Sequence, residues 1–187
     1  HVYPAFVFQN LQMLIDREGK LSSKDVLSYF RQLVTIITAL HEMDIIHGDI
    51  SANNILILDG ETKLIEFTIA NHEQLDGAVS GDMFYMSPEA IMGMKPAPPR
   101  DVWALGVTLT YALQGKFPFG HTDAGGADSV PHLFQKILNA PPLLLADIPS
   151  ELSQLLMQML DKDPSKRISL PQINTRLALW DEWSATG

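Results

Sequence analysis

Side chains suited to proton transfer and cation binding lie close together between positions 47 and 66. Residues 47–57 read His-Gly-Asp-Ile-Ser-Ala-Asn-Asn-Ile-Leu-Ile, so Asp49 precedes Asn54 by five positions, and Glu66 lies near the end of a second run, 62–67. A carboxylate beside a hydroxyl group can orient it and accept its proton, and amide and carboxylate oxygens are ligands that Mg²⁺ accepts. The same residues are also common as turn amides, loop carboxylates and solvated strand ends, so both interpretations stay open here.

Short apolar runs predict the strands that would position these residues. Residues 55–58 and 62–67 are apolar runs, and Asp59-Gly60 between them is a hairpin signal. Residues 2–8 are aromatic and β-branched, which predicts a further short strand.

Helical patterns dominate the rest of the chain. Ser22, with Asp25 three positions later, predicts a helix N-cap, and the following apolar residues share one face to about His41. Residues 101–113 are apolar on nearly every face, which is typical of a helix buried through the centre of a domain. Further helices are predicted at 11–17, 131–139, 150–160 and 169–180, with loops at 68–86 and 120–131.

The composition narrows the functional classes. The 187 residues carry a formal charge of -9, which argues against nonspecific binding to nucleic acid or to an anionic membrane. The absence of cysteine excludes a disulfide framework and thiolate metal sites. Because no apolar run reaches about 20 residues, we expect no membrane insertion.

Several short motifs resemble, in the right order, the signatures of eukaryotic protein kinases. They are the catalytic loop at 47–54, Lys-Leu-Ile-Glu-Phe-Thr at 63–68, Tyr-Met-Ser-Pro-Glu at 85–89, Asp-Val-Trp-Ala-Leu-Gly at 101–106, Gly-Lys-Phe-Pro-Phe at 115–119 and Asp-Pro-Ser-Lys-Arg at 163–167.

The resemblance implies a mainly α fold, a protein-kinase-like C-lobe with a small β-hairpin beside the catalytic loop and no N-lobe except a hinge strand. Residues 1–10 would be the last N-lobe strand and the hinge, and residues 11–187 the C-lobe. The catalytic loop would be 47–54 and the activation segment 66–89. Because the first residue is His1 rather than Met, we expect the chain to be an excerpt or a processed product.

The resemblance also assigns roles to individual residues. Asp49 would orient the acceptor hydroxyl and take its proton, and Asn54 and Glu66 would hold Mg²⁺ against the phosphates of ATP. Leu56 would form the apolar floor under adenine, although ordinary core packing explains it equally well. Ser51 takes the catalytic-loop position where Ser/Thr kinases carry a Lys that contacts the γ-phosphate. The implied structural residues are His47, Phe67, Glu89, Asp101 and Arg167.

Two structural roles are specific. Asp101 would accept hydrogen bonds from the catalytic-loop backbone, because a buried Asp without such partners would be costly. Glu89 and Arg167 would form the ion pair that ties the activation segment to the helical lobe.

Around the same centre the chain departs from the family pattern. Glu66 replaces the metal-binding Asp, and its extra methylene should weaken the octahedral coordination that Mg²⁺ demands. Thr68 replaces a Gly, Gly48 an Arg, Ser51 a Lys and Asp82 a Thr. The Gly-rich loop and the strand Lys of the nucleotide-clamping lobe are absent from these residues.

Three functional hypotheses follow from the resemblance. The first is a pseudokinase that acts as a protein-binding or scaffolding module, with no cofactor. The second is part of an active Ser/Thr protein kinase that uses Mg²⁺ and ATP and whose N-lobe is outside this chain. The third, an atypical kinase acting on a small molecule, is suggested by Gly48 and Ser51 but conflicts with the protein-kinase motifs.

The first hypothesis predicts a protein partner. Another protein chain would cover the open surface that faces the N-lobe, where Val7, Phe8 and Leu56 would be exposed. The resemblance also implies an intracellular, cytoplasmic protein.

Overall fold

The computed structural model describes residues 9–65, 81–120, 129–145 and 147–184. These residues form a mainly α fold with one small sheet, as the sequence predicted. The elements are β1 (Gln9–Asn10), α1 (Leu11–Glu18), α2 (Ser23–Glu42), β2 (Ile55–Leu58), β3 (Glu61–Leu64), α3 (Pro88–Ile91), α4 (Pro98–Gln114), α5 (Ser129–Asn139), α6 (Ser150–Met159) and α7 (Leu170–Ser184).

Residues close together in the sequence form the N-cap of α2, the helix that precedes the catalytic loop. The Ser22 hydroxyl accepts a hydrogen bond from the backbone N–H of Asp25, which caps α2 as predicted. The buried face of α2 includes Val26, Phe30 and Ile37, spaced to follow one side of the helix. α2 packs on α4, and the first turns of α4 bond the backbone of residues 47–48.

The sheet is antiparallel in the order β1-β2-β3. Asp59 and Gly60 both have positive φ (51° and 80°), the backbone that a tight hairpin turn between β2 and β3 requires. The predicted second strand, 62–67, is observed as Glu61–Leu64; Ile65 lies beyond it, and residues 66–67 lie outside the described residues. Leu64 is the last residue paired with β2, because a 3₁₀ turn at Ala52–Asn54 precedes Ile55 and ends the partner strand.

The core is built around α4. Every residue of α4 from Asp101 to Gln114 is buried, as the continuous apolar pattern predicted. Pro98 and Pro99 open the helix, where the missing N–H of proline costs nothing. At Gly106 an added Cβ would lie 3.0 Å from the Cβ of Met159, so glycine permits the close approach of α4 and α6.

Other predicted boundaries need correction or lie outside the described residues. Residues 81–85 form a 3₁₀ helix rather than loop, α5 begins at 129 rather than 131, and α7 continues to 184 rather than ending at 180. The predicted strand at 2–8 lies outside the described residues. Within the described part of the chain, none of the helices is long and apolar enough to cross a membrane.

Candidate active site

Asp101, in the first turns of α4, holds the backbone of the catalytic loop. Its Oδ2 accepts a hydrogen bond from the N–H of His47 at 2.9 Å, and its Oδ1 accepts one from the N–H of Gly48 at 3.0 Å. The Nε2 of His41 donates a third bond to Oδ2 at 2.8 Å. Because Asp101 is only 1% exposed, these partners replace the water that its carboxylate loses.

The ring of His47 links the loop to the end of the hairpin. Its Nδ1 accepts a hydrogen bond from the N–H of Asp49 at 3.1 Å, and its Nε2 lies 3.2 Å from the carbonyl oxygen of Ile65. A neutral ring with its proton on Nε2 satisfies both contacts. His47 therefore fixes the backbone of Asp49 relative to Ile65, the residue before Glu66.

Asp49 and Asn54 lie in contact at the centre of the loop. The Nδ2 of Asn54 donates to the Oδ2 of Asp49 at 3.1 Å and to its carbonyl oxygen at 2.7 Å. Both acceptors require the nitrogen side of the amide, so the Oδ1 of Asn54 faces away from them. An amide oxygen held in this way is a suitable ligand for a hard cation.

One of the two predicted cation ligands, Asn54, lies in the described residues. Asn54 fits a Mg²⁺ ion because its side-chain nitrogen is bonded to Asp49, which leaves its side-chain oxygen available to a cation. The second predicted ligand, Glu66, lies outside the described residues, as does Phe67. Among the residues that the structure describes, no group of three or more His, Cys, Asp or Glu side chains could hold a metal by itself.

Ser51 and Leu56 flank this centre. Ser51 is 1% exposed, and its Oγ finds no hydrogen-bond partner among the described residues. It therefore brings neither a charge nor an exposed hydroxyl to the catalytic loop. On β2, Ile55 and Ile57 are buried whereas Leu56 and Leu58 are half-buried, so Leu56 lies on the face of the sheet opposite to the core.

Glu89 and Arg167 form a buried, two-bond ion pair. The guanidinium donates to both carboxylate oxygens, at 2.6 Å and 2.9 Å, and the two side chains are 7% and 0% exposed. Arg167 also donates to the carbonyl oxygens of Pro99 and Asp161. Burial by itself would raise the pKa of Glu89, but the hydrogen bonds and charge of Arg167 outweigh it, so the pKa is lowered.

Two residues of this region were not predicted. His41 entered the sequence analysis only as the end of a predicted helix, yet it bonds Asp101. Arg100, the residue before Asp101, lines a cavity beside Asp49. No local signal in the sequence could have identified either one. His41 bonds a residue that is distant along the chain, and Arg100 lines a cavity that exists only in the folded protein.

Comparisons with known proteins agree with this geometry. A family model described as "Protein kinase domain" matches residues 4–177. The chain is 31% identical over 184 residues to a probable serine/threonine-protein kinase KIN1 homolog of Encephalitozoon cuniculi, covering 96% of this chain and 31% of that protein. It is 32% identical over 166 residues to the mouse dual specificity protein kinase TTK, covering 79% of this chain and 19% of that protein.

A third relative is the mouse serine/threonine-protein kinase 40. It is 30% identical over 192 residues, covering 94% of this chain and 42% of that protein. The chain thus spans less than half the length of each of these relatives.

Proposed function

This chain belongs to the protein kinase family, and we propose that it is the C-terminal lobe of a serine/threonine protein kinase. In this proposal the lobe positions the acceptor hydroxyl of a polypeptide substrate and accepts its proton, and a longer protein supplies the nucleotide-clamping lobe. The similarity to much longer serine/threonine kinases supports the proposal.

The observation that carries the proposal is the contact between Asn54 and Asp49. Phosphoryl transfer depends mostly on positioning and on charge neutralisation. The two bonds from the Nδ2 of Asn54 hold the carboxylate and the backbone of Asp49, and Asp101 holds the residues before it. A carboxylate that is held by these contacts can align a hydroxyl group and accept its proton with little rearrangement.

ATP with Mg²⁺ would supply the phosphoryl group. Asn54 and Glu66 would hold the cation, and Leu56 would contact the adenine from its half-buried face of the sheet. We also propose an intracellular, cytoplasmic location, in line with the family. The acidic composition favours a protein substrate over nucleic acid.

A second candidate is a pseudokinase that binds protein partners without catalysis. Ser51 favours it, because a buried, uncharged side chain stands where a cation would stabilise the transferring group. The replacement of the metal-binding Asp by Glu66 points the same way. In this case another protein chain would cover the open face around Leu56.

Phosphoryl transfer by the complete protein separates the two candidates. We would measure transfer from Mg·ATP to serine and threonine peptides by the wild type, Asp49→Asn and the exposed-turn control Asp59→Asn. The kinase proposal expects transfer that Asp49→Asn reduces by about 10²–10⁴-fold while the control stays unchanged.

The thermal stability of the same proteins with ATP, with and without Mg²⁺, provides an independent readout. A Mg²⁺-dependent stabilisation that persists in Asp49→Asn would show that the substitution spared nucleotide binding. The pseudokinase candidate expects no transfer by the wild type and no Mg²⁺-dependent stabilisation. Transfer that is equal in Asp49→Asn and in the wild type would contradict the role given to Asp49.

A further inference from the structure

A small cavity lies between the catalytic loop, the segment before α3 and the first turn of α4. Its volume is about 200 Å³, and its lining includes Gly48, Asp49, Tyr85, Met86, Arg100 and Ala104. Drug-sized ligands occupy pockets of about 300–1,000 Å³, so this cavity suits small side-chain head groups rather than a nucleotide.

Arg100 is the unusual member of this lining. It is half-buried, and within the described part of the chain its side chain makes no hydrogen bond or ion pair. Its backbone N–H bonds the carbonyl oxygen of Ala97, as expected for the first turn of a helix. Because a guanidinium carries five donors, this half-buried side chain can bind an acceptor that enters the cavity.

The other polar groups of the cavity are already bonded. Asp101 accepts three hydrogen bonds, the Ser87 hydroxyl caps α3 by accepting from the N–H of Ala90, and the Tyr85 hydroxyl accepts from the N–H of Ala52. The space beside Gly48 is open, since a Cβ built on this residue would meet nothing within 4 Å. Arg100 therefore faces a space that a ligand can enter.

The cavity presents charges of opposite sign, the Asp49 carboxylate and the Arg100 guanidinium. A ligand complementary to both offers a hydroxyl to Asp49 and a negative group to Arg100. A carboxylate near Asp49 would be repelled by the charge of Asp49. Pairing with a half-buried guanidinium, which forms two parallel hydrogen bonds to an oxyanion, offsets that cost.

We propose that Arg100 is a specificity-determining residue that binds an oxyanion, a carboxylate or a phosphate monoester, on the residue next to the acceptor serine or threonine of a polypeptide. This inference rests on the proposed function, because it takes Asp49 as the residue that meets the acceptor hydroxyl. It defines the substrate class as an acidic or already phosphorylated peptide.

Peptide binding tests the inference without requiring catalysis. We would measure the anisotropy of fluorescent serine peptides titrated with this chain, the serine being flanked by alanine, by aspartate, by phosphoserine or by lysine. The variants are Arg100→Gln and the charge reversal Arg100→Glu. Arg17→Gln, an exposed arginine on α1, is the matched control.

The wild type and the control should bind the aspartate peptide about fivefold more tightly than the alanine peptide. Arg100→Gln should abolish this preference, and Arg100→Glu should transfer it to the lysine peptide. Thermal unfolding should be unchanged by Arg100→Gln, since the side chain has no partner in the described part of the chain. A preference for phosphoserine above aspartate, lost in Arg100→Gln, would identify the phosphate monoester as the source of the oxyanion.

The remaining outcomes overturn the inference in distinguishable ways. If the alanine peptide binds the wild type as tightly as both the aspartate and the phosphoserine peptides, the role of Arg100 is refuted while the proposed docking of hydroxyl peptides stands. A preference that persists in Arg100→Gln also refutes it, because the acidic residue then binds elsewhere. If no serine peptide binds, the inference and the proposed docking at Asp49 both fail.

Discussion

Arg167 binds Glu89 through two parallel hydrogen bonds, although the residues are 78 positions apart in sequence. The pair joins the start of α3 to the segment between α6 and α7. The guanidinium also lies 5.0 Å from the centre of the Trp103 ring, so it is held by charge, hydrogen bonds and an aromatic face together. This arrangement supports the fold and takes no part in proton transfer.

Removing Arg167 should destabilise the protein strongly. Arg167→Ala leaves Glu89 buried without its partner, and we expect a loss of about 3–5 kcal/mol in the free energy of unfolding. Arg167→Lys should lose less but remain destabilised, because an ammonium cannot form the two parallel bonds. Urea denaturation measures both, with Arg17→Ala as the exposed control. A loss under about 1 kcal/mol for Arg167→Ala would show that the pair is not important for stability.

The ion pair between Glu89 and Arg167 predicts that the stability of the protein falls at acid pH. The folded state lowers the pKa of Glu89, so the folded protein keeps this carboxylate charged where the unfolded chain begins to bind protons. Its contribution is therefore complete above the unfolded pKa of about 4.3 and is lost as the pH falls through the folded value. Urea denaturation at neutral and acid pH should show a smaller acid-induced loss in Glu89→Gln than in the wild type. Glu61→Gln, on the exposed hairpin, should behave as the wild type does.

Asp101→Asn should loosen the catalytic loop. The substitution places an NH₂ group against one of the N–H donors of His47 and Gly48, which leaves a buried donor unpaired at a cost of about 1–3 kcal/mol. We expect faster hydrogen exchange at the Gly48 amide and reduced stability in urea. Asp16→Asn on the exposed face of α1 is the control. Unchanged protection of the Gly48 amide would contradict the role given to Asp101.

Gly115 is required where α4 ends beside Gly19. Its φ is +72°, and a Cβ at this position would collide with the backbone oxygen of Gly19. Gly60 has a similar φ of +80° but open space around it, which makes Gly60→Ala a control for backbone strain alone. We expect Gly60→Ala to cost about 1 kcal/mol and Gly115→Ala more than about 3 kcal/mol. Equal losses in urea denaturation would show that the contact with Gly19 has no effect.

Lys162 should titrate near physiological pH. Burial lowers its pKa to about 8, while its Nζ bonds the carbonyl oxygen of Ile137 at 2.6 Å and lies 4.5 Å from the centre of the Phe119 ring. The unfolded pKa is about 10.4, so between about pH 8 and 10 the unfolded chain binds more protons and the contribution of Lys162 to stability rises with pH.

Urea denaturation across this range tests the titration of Lys162. Lys162→Met should remove the rise in stability, whereas the exposed control Lys166→Met should retain it. Parallel pH profiles for the wild type and Lys162→Met would refute the lowered pKa.

The sequence determined the features whose partners lie within a few positions. The Ser22 cap, the turn at Asp59-Gly60 and the buried pattern of α4 were predictable because short-range hydrogen bonds and helical periodicity appear directly in the residue order. The order of the short motifs indicated the family, and the family supplied the roles of Asp49 and Asn54.

The tertiary structure decided which distant side chains meet. His41 and Asp101 are 60 positions apart, and only the packing of α2 on α4 brings the imidazole to the carboxylate. Arg100 precedes Asp101 in sequence, yet Asp101 is buried under the catalytic loop while Arg100 lines the cavity beside Asp49. The direction of each side chain depends on how the helix packs and turns, and a pattern of residue types along one chain does not contain that information.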